Sequence, residues 1–170
     1  VQTIDRTSYR FRDIGRPNAE HVLESISNPV GQTIRLLYSE RRLLVRIVDS
    51  AQRTLELSHD AHGRIVSMNA PDPNDPTKRV TVVRYQYDAV GNLSAWIDPR
   101  HQAFRYSYDG HLLSKETDRN GLSFRFEYAG SDEHARCVRT WGDDGIYDHE
   151  LDYDIERSIN GLPAEQRLAV

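Results

Sequence analysis

One short pattern recurs six times down this chain, and the recurrence limits the fold before any single residue is weighed. Aligned on Tyr38, His59, Tyr87, Tyr108, Tyr128 and Tyr153, the copies lie 21, 28, 21, 20 and 25 residues apart. Two positions before each anchor stand Leu36, Leu57, Tyr85, Tyr106, Phe126 and Leu151, all apolar. Four before stand Ile34, Leu55, Val83, Phe104, Phe124 and His149. Three before stand Arg35, Glu56, Arg84, Arg105, Arg125 and Glu150, all charged. A fixed period near 20 residues marks a repeat architecture. The inner alternation has period 2, so each copy contains a β-strand with one buried and one wet face.

The turns repeat as well. Asp88-Ala89-Val90-Gly91 follows Tyr87, Asp60-Ala61-His62-Gly63 follows His59, and the shorter Asp109-Gly110-His111 follows Tyr108. Asp enters turns through its side chain, and Gly supplies the positive φ that closes a short hairpin. The chain returns along 93–97, 112–117 and 65–69. Asp49-Ser50, Asp98-Pro99, Asp118-Arg119-Asn120-Gly121 and Asp143-Asp144-Gly145 mark the next reversals. Each copy is therefore strand, turn, strand, turn, and the expected fold is all-β, a meander of consecutive antiparallel hairpins forming a curved strip. The nine tyrosines suit half-buried strands in which the ring packs and the hydroxyl reaches water. Tyr87, Tyr108 and Tyr128 are expected to stack across the strip.

Two interruptions stand out. Pro71 to Pro76 produces the 28-residue spacing and reads as a loop, since prolines do not fit a central strand. Asn160-Gly161-Leu162-Pro163 is a second insertion, before what reads as half a hairpin at Arg167 to Val170. Residues 31–170 are assigned to the repeats. Residues 1–30 form a degenerate first repeat, anchored near Phe11, or a lead-in segment.

The strand-and-turn pattern of Tyr85-Gln86-Tyr87-Asp88-Ala89-Val90-Gly91-Asn92-Leu93, with Asp98-Pro99 after it, resembles the Rhs/YD-repeat family. Tyr106-Ser107-Tyr108-Asp109 through Asp118-Arg119-Asn120-Gly121 is a second close match. The copies at Tyr38, Tyr128 and Tyr153-Asp154 follow the pattern more loosely. The resemblance implies a strip of hairpins that spirals into a hollow shell. In bacterial polymorphic toxins, such as type VI Rhs effectors and the Tc toxin C component, the family's shell holds a C-terminal toxin domain. In teneurins a similar shell serves adhesion. The resemblance thus implies a structural segment of a longer protein, exported by a bacterial secretion system. Its partners would be neighbouring repeats and an encapsulated toxin domain. The alternative is an adhesion or glycan- or protein-binding module at a cell surface. Asp72-Pro73, Asp75-Pro76 and Asp98-Pro99 lack the Gly-Leu that follows the family's self-cleaving Asp-Pro, so no self-cleavage is assigned. Open strand edges at both ends are expected to self-associate, or the terminal strands to fray, unless further repeats cover them.

Other readings are weaker. A formal charge of −4 argues against a general nucleic-acid binder, and no apolar run is long enough for a membrane-spanning helix. The single Cys137 allows no internal disulfide. No metal-ligand spacing or activated nucleophile stands out among the histidines, the cysteine or the acidic run from Asp143 to Glu156, so no catalytic, metal or cofactor residue is assigned. That acidic run is expected to face Arg125 and Arg136 or Arg139.

Overall fold

The computed structural model describes residues 1–13 and 21–153. They belong to two compact units, 1–103 and 104–170. Residues 14–20 of the first repeat or lead-in segment, Asp154, the insertion at Asn160 to Pro163 and the half-hairpin at Arg167 to Val170 fall outside the described residues.

In the first unit β1 (Ser8–Asp13), β2 (His21–Ser27), β3 (Thr33–Tyr38), β4 (Leu44–Val48), β5 (Thr54–His59), β6 (Ile65–Pro71), β7 (Arg79–Tyr87) and β8 (Leu93–Ile97) follow one another. In the second, β9 (Ala103–Asp109, starting on the last residue of the first unit) leads to β10 (Leu112–Thr117), β11 (Ser123–Tyr128), β12 (Cys137–Gly142) and β13 (His149–Glu150). Each strand within a unit pairs antiparallel with the next in sequence. The only described helical turn is a 3-10 turn at Asp143–Gly145. The protein is therefore all-β, built of consecutive antiparallel hairpins. Pro71 is the last residue of β6 rather than part of the loop, opposite Arg79, and the Asp72 amide after it donates to the Lys78 carbonyl at 3.0 Å.

Alternation sets the faces. Opposed residues share a side of the sheet, so the register carries Leu36 to Ile47 and then to Leu55. From Leu57 it runs through Met68 to Val83, and Tyr85 meets Trp96. In the second unit Tyr106 meets Glu116, which meets Phe124, and Phe126 meets Thr140. The residues two before the anchors from Tyr38 to Tyr128 therefore share a face within each unit, although Glu116 and Thr140 interrupt the apolar row of the second; Leu151 lies beyond β13. The residues three before lie on the opposite, wetter face, where Arg35, Arg84 and Arg105 are exposed.

Little of either face is deeply covered. Among the described residues only Leu57 (7% exposed), Ala95 (1%), Ser123 (8%) and Gly142 are buried. The sheet is a single layer, and its cohesion comes from cross-strand neighbours such as Tyr85 and Trp96 rather than from a two-layer core.

Every hairpin carries the same irregularity. The register skips Glu24, Val45, Val66, Ser94, Ser114 and Val138, each on the returning strand. The residues at these bulges include Phe11, Tyr38, His59, Tyr87, Tyr108 and Tyr128. Phe11 thus holds in the first hairpin the place that the anchors hold in the later ones. A bulge bends and twists its strand. Successive hairpins accordingly pair over only three residues between β2 and β3, β4 and β5, and β10 and β11. Beyond those pairs the bulged ends separate.

Candidate functional site

The chemistry-bearing residues are concentrated in one device that recurs through the sheet. Its first part is a turn. Asp60 accepts the N–H groups of His62 and Arg64 on Oδ1, at 2.9 and 3.0 Å. The Gly63 amide closes the turn onto the Asp60 carbonyl at 3.1 Å, and Gly63 has φ +83°. This is a type I turn ending in a left-handed residue, the usual three-residue hairpin loop. Asp88 does the same for Val90 and Asn92, with Gly91 at φ +101°. Asp118 does it for Asn120 and Leu122, with Gly121 at φ +91°. Asp49, Asp98 and Asn28 repeat it. The turns inside and between hairpins are thus one design. Sequence reasoning missed Asn28 and the left-handed Arg42, Gln52 and His101, at φ +64°, +62° and +63°. Asp109 instead precedes a two-residue turn, with Gly110 at φ +60°.

The residue after the glycine folds back. Arg64 Nε donates to Asp60 Oδ2 at 2.8 Å, and Asn92 Nδ2 donates to Asp88 Oδ2 at 3.0 Å. This gives a physical reason for Arg or Asn at that place: either can donate to the carboxylate oxygen the backbone leaves open.

The anchor tyrosine is the second part. Tyr38 donates its hydroxyl to the Leu23 carbonyl at 2.9 Å, Tyr87 to Ile65 at 2.8 Å, and Tyr128 to Leu113 at 3.0 Å. Each acceptor lies on the preceding strand, in the previous hairpin, beside the bulge where the ladder has parted. The hydroxyl therefore satisfies a carbonyl that the bulge leaves unpaired. This departs from the expectation that the hydroxyls reach water. Burial raises the pKa of all three phenols. The expected tyrosine stack is not what Tyr87 makes: the Arg64 guanidinium lies 4.6 Å from its ring centroid. Anchors sit on alternate strands, about 9–10 Å apart at the usual spacing, which is too far for ring stacking. Asp60, Arg64 and Tyr87 thus run as one chain of contacts from the turn of one hairpin to the anchor of the next.

The remaining signature residues are less uniform. His59 occupies its anchor position opposite Ile65, half-buried. Tyr85 and Tyr106 are half-buried on the anchor face, and Tyr108 is half-buried opposite Leu113. Tyr153 follows β13, is 46% exposed, and has the Arg136 guanidinium 5.3 Å from its ring centroid. Part of the acidic run meets arginine as expected: Arg125 pairs with Asp143 at 2.8 Å, and Arg139 grips Asp148 through two bonds of 2.9 and 2.7 Å. Asp143 also accepts the Ser123 amide at 2.8 Å, which with Arg125 holds its carboxyl below the ordinary value.

The turn carboxylates are tuned the same way. The Arg53 guanidinium and amide keep Asp49 low. Desolvation pushes Asp60 up, but the Arg64 amide and guanidinium outweigh it. Desolvation likewise opposes the lowering of Asp88, and the amide and side chain of Asn92 prevail. These shifts follow from turn geometry. Among the described residues no group of three or more His, Cys, Asp or Glu could hold a metal ion, and no helix is long and apolar enough to cross a membrane. Cys137 is half-buried, and its thiol reaches the Arg139 carbonyl at 3.4 Å.

A repeated turn joined to the next repeat's anchor defines a β-hairpin repeat protein. The chain belongs to the Rhs/YD-repeat family. A model of the RHS Repeat matches residues 87–123, which run from the Tyr87 anchor to the start of β11. The double-stranded DNA deaminase toxin A of Burkholderia cenocepacia (strain H111) is 31% identical over 129 residues, covering 75% of this chain and 8% of that protein. The probable deoxyribonuclease RhsB of Dickeya dadantii (strain 3937) is 25% identical over 134 residues, covering 65% of this chain and 9% of that protein. The chain thus spans 8% and 9% of the lengths of these curated relatives. The crystal structure of TcdB2-TccC3-TEV has a TM-score of 0.52 and 15% identity, covering 81% of this chain and 7% of that one. That likeness shows the fold.

Proposed function

We propose that this chain is a structural segment of the wall of an Rhs/YD-repeat shell that encloses the toxin domain of a bacterial secreted effector. The observation that carries the reading is the hairpin-to-hairpin link. Tyr87 donates across to Ile65 while Arg64 covers its ring. The hydroxyl-to-carbonyl bond recurs at Tyr38 and Tyr128, and a link that satisfies its polar groups internally builds a continuous surface. Two further facts support it: one of the relatives is named as a toxin, and within each unit the sheet has a half-covered apolar face. On this reading the chain itself catalyses nothing, its immediate partners are further repeats, and export follows from the effector it belongs to.

The test is limited proteolysis of the full-length parent protein. The non-repeat region is expected to resist protease while the repeats are intact and to become cleavable in a Tyr87→Ala, Tyr128→Ala double variant. Equal cleavage of that region in both proteins, or a parent with no non-repeat region to enclose, contradicts the reading.

A further inference from the structure

We propose that the arginine-bearing face of β1 to β5 is a docking surface for a carboxylate-rich polypeptide segment of a partner protein. This surface goes beyond the wall reading and does not depend on it. The strands of the first unit border an open hollow of about 1400 Å³, lined by Arg10, Arg12, Arg35 and Arg46. The register sets Arg10 and Arg35 on either side of Ser25 and on the same face. They are therefore two strand spacings apart, about 9–10 Å, with a small hydroxyl between them. Arg12 lies two residues further along that face of β1, and Arg46 lies opposite Leu37. All four arginines are exposed.

Their present partners leave most of this charge available. Arg12 meets Glu24 only at 4.0 Å and Arg46 meets Glu56 at 3.7 Å, both solvent-facing pairs of the kind that contribute little. Arg35 reaches only the side-chain oxygen of Gln52, at 3.4 Å. Among the described residues no carboxylate pairs with Arg10 or Arg35. A cluster of this sign runs against a chain whose formal charge is −4.

The floor favours a ligand that inserts side chains. Ser27 and Thr33 tie their own hydroxyls together at 2.8 Å, leaving a short-side-chain surface beneath the guanidiniums. Arginine presents a planar fork that takes a carboxylate through two hydrogen bonds. Carboxylates spaced along a polypeptide can meet these forks one by one. A nucleic-acid backbone fits less well: Glu24 and Glu56 break the positive surface that a continuous row of phosphates would follow.

The experiment is fluorescence anisotropy of a labelled Glu-Gly repeat peptide against the whole purified chain. An oligothymidylate of equal charge and inorganic phosphate serve as competitors. Saturable peptide binding is expected at low salt, with loss of most of it near about 0.5 M salt, where screening shortens to a few ångström. Arg10→Gln with Arg35→Gln is expected to weaken binding by at least about fivefold. Arg105→Gln, an exposed change in the second unit, is expected to leave it unchanged. Urea midpoints of all variants separate lost charge from lost fold, and Arg35→Gln alone serves if the double variant does not fold. The proposal is overturned by absent peptide binding, by equal weakening in Arg105→Gln, or by oligothymidylate or phosphate displacing the peptide as readily as unlabelled peptide does.

Discussion

Tyr87 has two roles that substitution can separate. Its ring packs under Arg64, and its hydroxyl satisfies the Ile65 carbonyl. Tyr87→Phe keeps the first and removes the second, so it is expected to cost about 1 kcal/mol in a urea titration. A neutral result would mean that water serves the carbonyl equally well. Burial raises this phenol's pKa, so its hydroxyl contribution is complete below the ordinary tyrosine range and is lost as pH climbs through the raised value. Glycine supplies a sharper contrast. A Cβ on Gly91 would lie 3.2 Å from Arg64 Nη1, at φ +101°, whereas one on Gly121 would meet nothing within 4 Å. Both Ala variants carry the left-handed strain of about 1 kcal/mol or more, and Gly91→Ala is expected to lower the urea midpoint further because Arg64 must also shift. Anchor positions and faces were legible at this scale, because period 2 reports them directly. The hydroxyl's destination was not, because it lies 22 residues away in sequence, across a bulge that no periodicity announces.

The element that carries the repeat is the turn rather than the strand. Asp49, Asp60 and Asp88 all have carboxyls held below their ordinary 3.8 by the amides and side chains they accept. A depressed carboxyl stabilises the fold above its unfolded pKa, and that contribution is lost as pH falls through the lowered folded value. Stability is therefore expected to hold from neutral pH to about 4 and then to fall steeply as several turns protonate together. Asp60→Asn with Asp88→Asn should flatten that fall in urea midpoints measured against pH. An unchanged slope would mean that other groups set the acid limit. Turns closed by Gly63, Gly91 and Gly121 could be read from the chain. The reversals at Asp49 and Asp98 could be read too, but not the left-handed Gln52 and His101 that close them, nor the turn at Ser39 closed by Arg42, because the capping side chains of Ser39, Asp49 and Asp98 hold the loop without a glycine to signal it. The last described element departs furthest from the pattern. Asp143 turns its carboxylate to Ser123 and Arg125 instead of capping its own loop, and β13 is two residues long.

At the scale of the molecule, stability is distributed. With only Leu57, Ala95, Ser123 and Gly142 buried among the described residues, no central core dominates. Each hairpin depends on the one beside it, as in other repeat arrays. All-β class and strand order were legible because each strand within a unit pairs with its neighbour in sequence, so no long-range partner had to be guessed. The arginine-lined hollow was not, because the four residues that define it lie on three strands whose register depends on the bulges. The most direct test of the central claim, that hairpins are locked pairwise by the anchor tyrosine, is hydrogen exchange on the whole chain with and without Tyr87→Ala. The account predicts faster exchange in both β7–β8 and the preceding β5–β6 hairpin, with β11–β12 unchanged. Faster exchange confined to β7–β8, or spread evenly over every strand, would contradict it.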